Sequence, residues 1–148
     1  MSQEKVEIVR GIYDAVARRD GVTPFKAYAE DIVWDLSNSR RTALGVEPIY
    51  RGHEGVRQFW RDALSVFGEV DLEVEELIDA GDQVVAVTRE RGVGRGSGAL
   101  VRSIAVSVWT FEDGKVIQVQ VFDDREHGLE AVGLSEPAPG GENPEPRA

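Results

Sequence analysis

The N-terminal part of the chain repeats its apolar residues with the three- to four-residue spacing of an amphipathic α-helix. The repeat consists of Val6, Val9, Tyr13 and Val16, with Ile8 and Ile12 beside them. Because serine is a good N-cap residue, the pattern predicts a first helix from Ser2 to about Arg19. Thr23-Pro24 has the residues of an N-cap and a first-turn proline, so we expect a second, short helix that carries Tyr28 inward and ends near Glu30.

A short strand, a long connection and a third helix follow. Ile32–Leu36 is an apolar run of strand length. Residues 37–49 are polar and contain Gly and Pro, so we expect a loop over one edge or mouth of the sheet. The third helix is predicted from His53 to Phe67. Its apolar stripe consists of Val56, Phe59, Trp60, Leu64 and Phe67.

From Glu69 onward the apolar period changes to two, which is typical of half-buried strands. The Glu75-Glu76 pair breaks this alternation and predicts a β-bulge. A second long strand covers residues 83–91. The Gly-rich segment 92–98 is a connection without the Lys-Ser/Thr ending of a phosphate loop. The clearest strand signal is the hairpin 99–124, and a short helix capped by Asp124 follows it.

This order of elements predicts one α+β domain, with helices on one side of a mostly antiparallel sheet. The 148 residues are enough for a single hydrophobic core. We place the domain at residues 1–134. Residues 135–148 are rich in Pro, Gly and Glu, so we expect them to form a disordered tail.

The loop of the C-terminal hairpin determines which of its residues share a face. If Glu112–Gly114 is a three-residue loop, Phe111 pairs with Lys115 and the odd-numbered residues of both strands lie together. That face carries Ser103, Ala105, Ser107 and Trp109 opposite Ile117, Val119, Val121 and Asp123. A two-residue Asp-Gly turn would shift the pairing by one and would put Asp124 on this face in place of Asp123.

The odd face of the hairpin has small residues on one strand and aliphatic residues on the other. Small side chains on a wide sheet leave space that the helices need not fill, so this face is a candidate wall of a small-molecule pocket. The alternative is that the helices pack flat against these residues and leave no cavity.

The charge and composition exclude several classes of function. A formal net charge of −10 argues against nucleic acid and anionic membranes as partners. The chain has no cysteine, which fits a cytoplasmic protein and excludes disulfides and thiolate metal sites. Two distant histidines, His53 and His127, predict no metal site, and we expect no cofactor. The densest group of cations lies beside many acids and is expected to pair locally. It consists of Arg89, Arg91, Arg95 and Arg102.

Five stretches have the order and spacing of motifs in a known protein superfamily. They are ARRDG at the end of the first helix, AEDIVWDL in the first strand, YRGHEGVRQFW at the third helix, VSVWTFEDGKVIQVQVF in the hairpin, and DDREHGLEAVGL at the domain end. Together they resemble the SnoaL-like branch of the nuclear transport factor 2-like, or ketosteroid isomerase-like, superfamily. The resemblance implies a cystatin-like α+β barrel: a cone-shaped, strongly curved sheet wrapped around three N-terminal helices, with a pocket inside.

The resemblance also implies a homodimer formed through the outer face of the sheet. On this chain that face would present an apolar patch of Ile104, Val106 and Val108. A pure dimerisation module is therefore one of the functions that the resemblance leaves open.

Residue matching argues against two activities of the superfamily. Ketosteroid isomerase pairs an aspartate base with an oxyanion hole of a tyrosine and a protonated aspartate. Here the base position holds Asp35 or Leu36, the tyrosine position Ile12 or Tyr13, and the protonated acid is replaced by Ser107. Limonene-type epoxide hydrolases need an Arg-x-Asp triplet facing a second Asp, and the corresponding strands lack it.

The resemblance to SnoaL-type cyclases implies a pocket aspartate at the end of the last strand. Asp123 occupies that place and is our first catalytic candidate, because a carboxylate on an apolar wall could move a proton on a carbon acid. The alternative is a rim carboxylate paired with Arg125 or a loop arginine. Asp35 is the second candidate, although it faces away from the cone if Trp34 lines it.

Two functions stay open at this point. One is a cofactor-free isomerase, cyclase or dehydratase that acts on a hydrophobic small molecule. The other is a noncatalytic ligand-binding or dimeric accessory protein. The candidate substrate-binding residues are Tyr13, Trp34, Phe59, Trp60, Ser103, Ser107, Trp109, Val119 and Val121. For several of these, Tyr13 above all, a place in the ordinary core is the alternative.

Overall fold

The computed structural model describes residues 2–94 and 96–134, with side chains throughout except at 2 and 67–69. The predicted tail, 135–148, lies outside the described residues, as does Arg95. Within the described part of the chain, no helix is long and apolar enough to cross a membrane.

The helical part of the described residues consists of three α-helices and two 3₁₀ turns. The α-helices are α1 (Ser2–Ala17), α2 (Gly52–Val66) and α3 (Arg125–Ala131), and the 3₁₀ turns are Thr23–Ala27 and Arg40–Leu44. The predicted second helix is wrong beyond its first turn. Tyr28 already pairs with Val116 in the sheet, and strand pairing outweighs the local helix signal there.

In the ranges 2–94 and 96–134, six strands form one mixed sheet. They are β1 (Tyr28–Asp35), β2 (Ile49–Arg51), β3 (Phe67–Asp79), β4 (Gln83–Gly94), β5 (Leu100–Glu112) and β6 (Lys115–Phe122). Their order is β2-β1-β6-β5-β4-β3, and every neighbouring pair is antiparallel except β1 and β6. The α+β class is therefore confirmed. The sheet is not closed into a barrel, because β2 and β3 are its two edges.

The β-bulge predicted in β3 is confirmed. Val74 lies opposite Thr88 while Glu76 lies opposite Val87, so Glu75 is the extra residue. Its carboxylate forms an ion pair with Arg89, as expected for cations that pair locally.

Helices cover both faces of the sheet, which differs from the predicted packing of all helices on one side. An inner cluster joins α1 and α2 to the sheet through residues such as Val9, Val56 and Trp109. An outer cluster of Val85, Val87, Val106, Val108 and Phe122 packs with Val132, just after α3. Val106 and Val108 are thus fully buried within one chain. Of the apolar patch expected at a dimer interface, Val106 and Val108 are covered by the chain itself and Ile104 is partly buried. The homodimer stays a prediction.

The hairpin turn differs from the predicted three-residue loop, but the predicted face is largely kept. Glu112 pairs with Lys115, so the turn is the two-residue Asp113-Gly114, whose φ angles of 52° and 79° fit a type I′ turn. A bulge at residue 117 then restores the odd-to-odd pairing. Because of that bulge Val116, rather than residue 117, packs in the inner cluster.

Candidate functional site

Two adjoining cavities lie on the inner face of the sheet: the inner one is bounded by helices α1 and α2, and the outer one by α2 and the connection between β1 and β2. The inner cavity has a volume of about 60 Å³ and reaches Tyr13, Tyr28, Trp34, Ser107 and Trp109. The outer cavity has a volume of about 590 Å³ and reaches Leu44, Val46, Val101, Ser103 and Asp123. The wall that the two cavities share consists of Arg41, Phe59, Trp60, Leu72 and Glu90.

Strand alternation explains which side chains reach the cavities. In β1 and just after it, Trp34 and Leu36 line the inner cavity. Asp35 lies between them in sequence and therefore points to the other side. There its carboxylate accepts hydrogen bonds from the backbone N–H of Ser37 at 2.9 Å and from the Ser37 hydroxyl at 2.6 Å.

Asp123 lies at the edge of the outer cavity, held by the connection between β1 and β2. Its Oδ1 accepts hydrogen bonds from the Ser39 hydroxyl at 2.8 Å and from Arg41 Nη1 at 3.0 Å. Its Oδ2 accepts the Arg40 backbone N–H at 2.8 Å and lies 3.3 Å from Arg40 Nε. Both carboxylate oxygens are therefore engaged by donors. The pairing with a loop arginine, left open by the sequence, is what the structure has, whereas Arg125 binds Glu76.

Arg41 joins Asp123 to a second carboxylate, Glu90. Its Nη2 donates to Glu90 Oε1, which also accepts the Ser103 hydroxyl at 3.3 Å. The side chains of Arg41, Glu90 and Asp123 are only 21%, 24% and 16% exposed. We call these three side chains the carboxylate–arginine cluster. Within the described part of the chain, Oε2 of Glu90 has no hydrogen-bond partner, which makes it the open position of the cluster.

The sequence indicated a loop arginine without singling out Arg41, and sequence reasoning missed Glu90. Glu90 could have been found, because it continues the row Val84, Ala86 and Thr88 along the inner face of β4. An acid at the end of a small and apolar row is a detectable signal. Arg41 carried no such signal, since it lies in an aperiodic connection.

Six aromatic residues line the inner cavity, and four of their rings, those of Tyr13, Tyr28, Trp34 and Trp109, contact one another. Trp109 has its ring centroid 5.7 Å from those of both Tyr13 and Trp34, and Tyr28 lies 5.9 Å from Trp34. The Tyr13 hydroxyl donates a long hydrogen bond of 3.5 Å to Ser107. Burial raises the pKa of Tyr13 to about 12, and it raises the pKa of Tyr28 as well. Both phenols therefore stay protonated and can act as hydrogen-bond donors at neutral pH.

Comparison with known proteins shows to which family the chain with these cavities belongs. A SnoaL-like domain profile matches residues 9–119, three quarters of the chain. The chain belongs to the SnoaL-like family. The family is associated with polyketide cyclase or isomerase functions and binds small molecules. No match is found among curated proteins.

Solved structures share the fold of this SnoaL-like domain. TerC, co-crystallised with polyporic acid, is 22% identical over 87% of this chain and 98% of its own, with a TM-score of 0.73. An NTF2-like protein of unknown function from Burkholderia pseudomallei is 24% identical over 88% and 98%, with a TM-score of 0.74. A protein described as a SnoaL-like polyketide cyclase from Mesorhizobium loti is 21% identical over 78% and 96%, with a TM-score of 0.63. These likenesses concern the fold alone.

Most of the candidate residues of the SnoaL-like pocket surround the two cavities. The inner cavity is lined by Tyr13, Trp34, Phe59, Trp60, Ser107, Trp109 and Val121, and the outer one by Phe59, Trp60, Ser103 and Asp123. Val119 lines neither cavity: it is fully buried in the inner cluster, between Trp34 and Trp109 on the two neighbouring strands. Asp35 lines neither cavity.

Asp124 has the capping role predicted for it. Its Oδ1 accepts the backbone N–H of His127 at 2.9 Å, at the start of α3. That hydrogen bond, with the His127 side chain, lowers the pKa of Asp124. Among the residues that the structure describes, no three His, Cys, Asp or Glu side chains are grouped so that they could hold a metal ion.

We expect none of the tyrosines of this protein to ionise near the ordinary pKa of a phenol while the protein is folded. The chain has three tyrosines, and burial raises the pKa of Tyr50 to about 12, as it does for Tyr13, and also raises that of Tyr28. Unfolded tyrosines ionise near pH ~10, so stability that is present below that pH is lost as the pH rises through the folded pKa values. Phenolate absorbance should therefore appear together with loss of the circular dichroism signal. A separate phase near pH ~10 in folded protein would contradict this.

Proposed function

We propose that this protein binds a hydrophobic, oxygenated small molecule in the outer cavity and acts on it as a cofactor-free isomerase, cyclase or dehydratase. The observation that carries the proposal is the carboxylate–arginine cluster: Arg41 and Glu90 lie in the otherwise apolar wall that the two cavities share, and Asp123 lines the outer cavity. A few convergent polar groups in an apolar hollow are the usual composition of a small-molecule site.

The dimensions of the outer cavity support a ligand of moderate size. Its volume of about 590 Å³ lies within the range of roughly 300–1,000 Å³ that is usual for small-molecule sites. Much of its lining is aliphatic, including Leu44, Val46, Ala63, Val66 and Val70. Such a surface selects a ligand whose larger part is apolar, while the cluster contacts its oxygenated part.

Glu90 is the carboxylate best placed for proton transfer. Its Oε2 has no hydrogen-bond partner among the described residues, whereas both oxygens of Asp123 are engaged by donors. A general base needs an oxygen that can reach the substrate proton within hydrogen-bond distance. We therefore assign the base to Glu90 and give Asp123 the role of positioning Arg41. The sequence-based assignment of the base to Asp123 stays a prediction that the same experiment tests.

The first test is binding. All three tryptophans of the chain, Trp34, Trp60 and Trp109, line the inner cavity, so intrinsic fluorescence reports its surroundings. Polyporic acid, the compound co-crystallised with TerC, is a suitable probe. We expect saturable quenching, and a strictly linear, unsaturable response would contradict binding in the cavity.

The second test is proton transfer without knowledge of the natural substrate. The α-hydrogens of 2-acetylnaphthalene, a hydrophobic methyl ketone, would be followed by mass spectrometry as they exchange with D₂O. We expect Glu90→Gln to slow protein-catalysed exchange at least about 100-fold, and Asp123→Asn to slow it less. The control is Glu112→Gln, which changes an exposed residue beside the hairpin turn. A larger loss in D123N than in E90Q would return the base to Asp123.

A noncatalytic ligand-binding protein is the second candidate. It is favoured by the hydrogen-bond donors that engage both oxygens of Asp123. A carboxylate whose two oxygens are engaged by donors can have a structural role as readily as a catalytic one. It predicts saturable binding of the probes with exchange no faster than in buffer, for the wild type and for all three variants.

A further inference from the structure

Strand β5 extends beyond its partner β6, so its first residues lie at an edge of the sheet. Strand β6 pairs with β5 only from Val106 onward, whereas β4 stays paired with β5 back to Leu100. Residues 100–103 are all exposed, Leu100 at 57% and Val101 at 39%. We call this stretch the free edge of β5. It borders the outer cavity, which Val101 and Ser103 line.

The free edge of β5 has backbone hydrogen-bonding groups without partners. In an antiparallel ladder the N–H and C=O of alternate residues point to the same side. At the two ends of the β4–β5 ladder, Ala99 and Phe111 both bond to the β4 side at 2.9 Å, so the odd residues of β5 face β4. The groups of Leu100 and Arg102 therefore face away from β4, where no described strand pairs with them. Such a row of groups is a template for a further strand.

The charges on the outer face of the sheet, opposite the cavities, favour an acidic side chain beside this edge. Arg102 lies directly opposite Arg91, and Arg91 lies opposite Asp71 of β3. Arg89 of the same face binds Glu75, but neither Arg91 nor Arg102 forms an ion pair with a described residue. Like charges directly opposite each other destabilise a sheet. The row reads acid, cation, cation, and an acid beside Arg102 would balance its two cations.

The residues on either side of Arg102 favour apolar neighbours. On the outer face, Leu100 lies opposite Val93, which is 46% exposed. On the inner face, Val101 and Ser103 border the outer cavity, whose lining is largely aliphatic. Because successive side chains of a strand point to opposite faces, a segment added at this edge would place apolar side chains on both.

We propose that the free edge of β5 binds an extended segment of a partner protein as an additional antiparallel strand, in line with β6. The segment carries one acidic residue opposite Arg102 and apolar residues on both sides of it. Backbone hydrogen bonds supply its affinity, and the acid determines its register. A second copy of this chain is disfavoured, because it would bring two Arg102 side chains onto the same short stretch. The inference goes beyond the proposed small-molecule function and does not depend on it.

The test uses a capped, fluorophore-labelled heptapeptide, Ser-Val-Val-Glu-Val-Val-Ser, and the full-length protein. Fluorescence anisotropy measures its affinity. We expect saturable binding with a Kd below about 1 mM. Replacing its glutamate by lysine exchanges an attraction for a repulsion and should weaken binding about fivefold or more.

N-methylation supplies matched peptides of nearly the same composition. In a hydrogen-bonded antiparallel pair, the N–H of the residue opposite Arg102 faces β5, whereas the N–H groups of its two neighbours face away. N-methylation of the glutamate should therefore abolish binding up to about 1 mM. N-methylation of an adjacent valine should leave the affinity within about twofold. Equal effects of the two methyl groups would overturn the added strand.

Arg102→Glu tests the acid on the protein side. It should reverse the preference, so that the lysine peptide binds more tightly than the glutamate peptide. The new carboxylate lies opposite Arg91, so the fold should be at least as stable. Arg10→Glu changes an exposed arginine of α1 and should keep the wild-type preference.

Two results would overturn the inference: an unchanged preference in R102E, or no binding of either peptide at about 1 mM. A dimer in light scattering that the glutamate peptide dissociates would also overturn it, in favour of a contact between copies of this chain. None of these results bears on the binding of polyporic acid, so the proposed small-molecule function is tested separately.

Discussion

Arg41→Met is expected to lower the free energy of unfolding by about 3 kcal/mol, because it leaves two largely buried carboxylates without their shared cation. Arg41 binds Asp123 through Nη1 and Glu90 through Nη2, and all three side chains are less than a quarter exposed. Methionine keeps the length and apolar stem of the side chain, so the loss reports the charge and its hydrogen bonds. Urea denaturation followed by circular dichroism measures it.

Arg40 offers a control within the same connection. It also pairs with Asp123, at 3.3 Å, but its side chain is 90% exposed, and an exposed ion pair contributes little to stability. Arg40→Met should therefore change stability by no more than about 0.5 kcal/mol. Arg41→Lys should fall between the two, because a single ammonium cannot replace the planar fork that reaches both carboxylates. Equal stabilities of R41M and R40M would mean that the cluster does not stabilise the fold.

Gly128→Ala should destabilise the protein by about 1–2 kcal/mol, although alanine is the better helix former. A Cβ at residue 128 would lie 2.4 Å from Val106 Cγ1 and 3.4 Å from Val106 Cβ, whereas carbon atoms in contact are about 3.5–4.0 Å apart. Val106 is fully buried in the outer cluster and has a stiff, β-branched side chain. Helix α3 must therefore move away from the sheet, and thermal or urea unfolding would record the cost.

The same substitution at Gly11 is expected to have the opposite effect on stability. It lies in α1, and a Cβ there would meet no atom within 4 Å. Gly11→Ala should therefore stabilise the protein by about 0.5–1 kcal/mol through helix propensity alone. In a double-mutant cycle, Val106→Ala should cost less in the G128A background than in the wild type, since it removes the clashing methyl group. Additive effects would exclude a direct clash between these two residues.

Helix α3 also links this packing to the site. It begins directly after Asp123 and Asp124, and Arg125 binds both oxygens of Glu76 at 2.9 Å. A displacement of α3 would also shift the end of β6, where Asp123 accepts hydrogen bonds from the Ser39–Arg41 connection. G128A should therefore weaken ligand binding in addition to stability, whereas G11A should leave binding unchanged.

Much of the fold could be predicted from residue patterns because its long elements carry clear periods. The helices α1 and α2, the bulge at Glu75 and the cap at Asp124 all depend on interactions close in sequence. The odd face of β5 was also predicted, although from a three-residue loop. The structure has the alternative two-residue turn, and this turn and a bulge at residue 117 together give the same alternation at Ser107 and Trp109.

The elements that the sequence pattern predicted wrongly or not at all have a different origin. Strand β2 has only three residues and exists because it pairs with β1, where Tyr50 lies opposite Trp34. The second helix stops at one 3₁₀ turn because Tyr28 enters the sheet. The place of α3 on the outer face depends on Gly128, whose missing side chain matters only next to Val106. In each case a contact between residues distant in sequence determined the structure. It did so either against the local pattern or where the local pattern gave no signal.

By itself, the sequence determined an α+β domain of the SnoaL-like type, an inner sheet face with aromatic residues, and a carboxylate at the end of the last strand. Only the tertiary structure decided how that carboxylate is used. Arg41 reaches Asp123 across 82 positions of the chain and Glu90 across 49, from a connection without any period. Periodicity reports which side of an element is buried, but not which charges meet inside. That pairing arises when the β1–β2 connection folds over the mouth of the cavity.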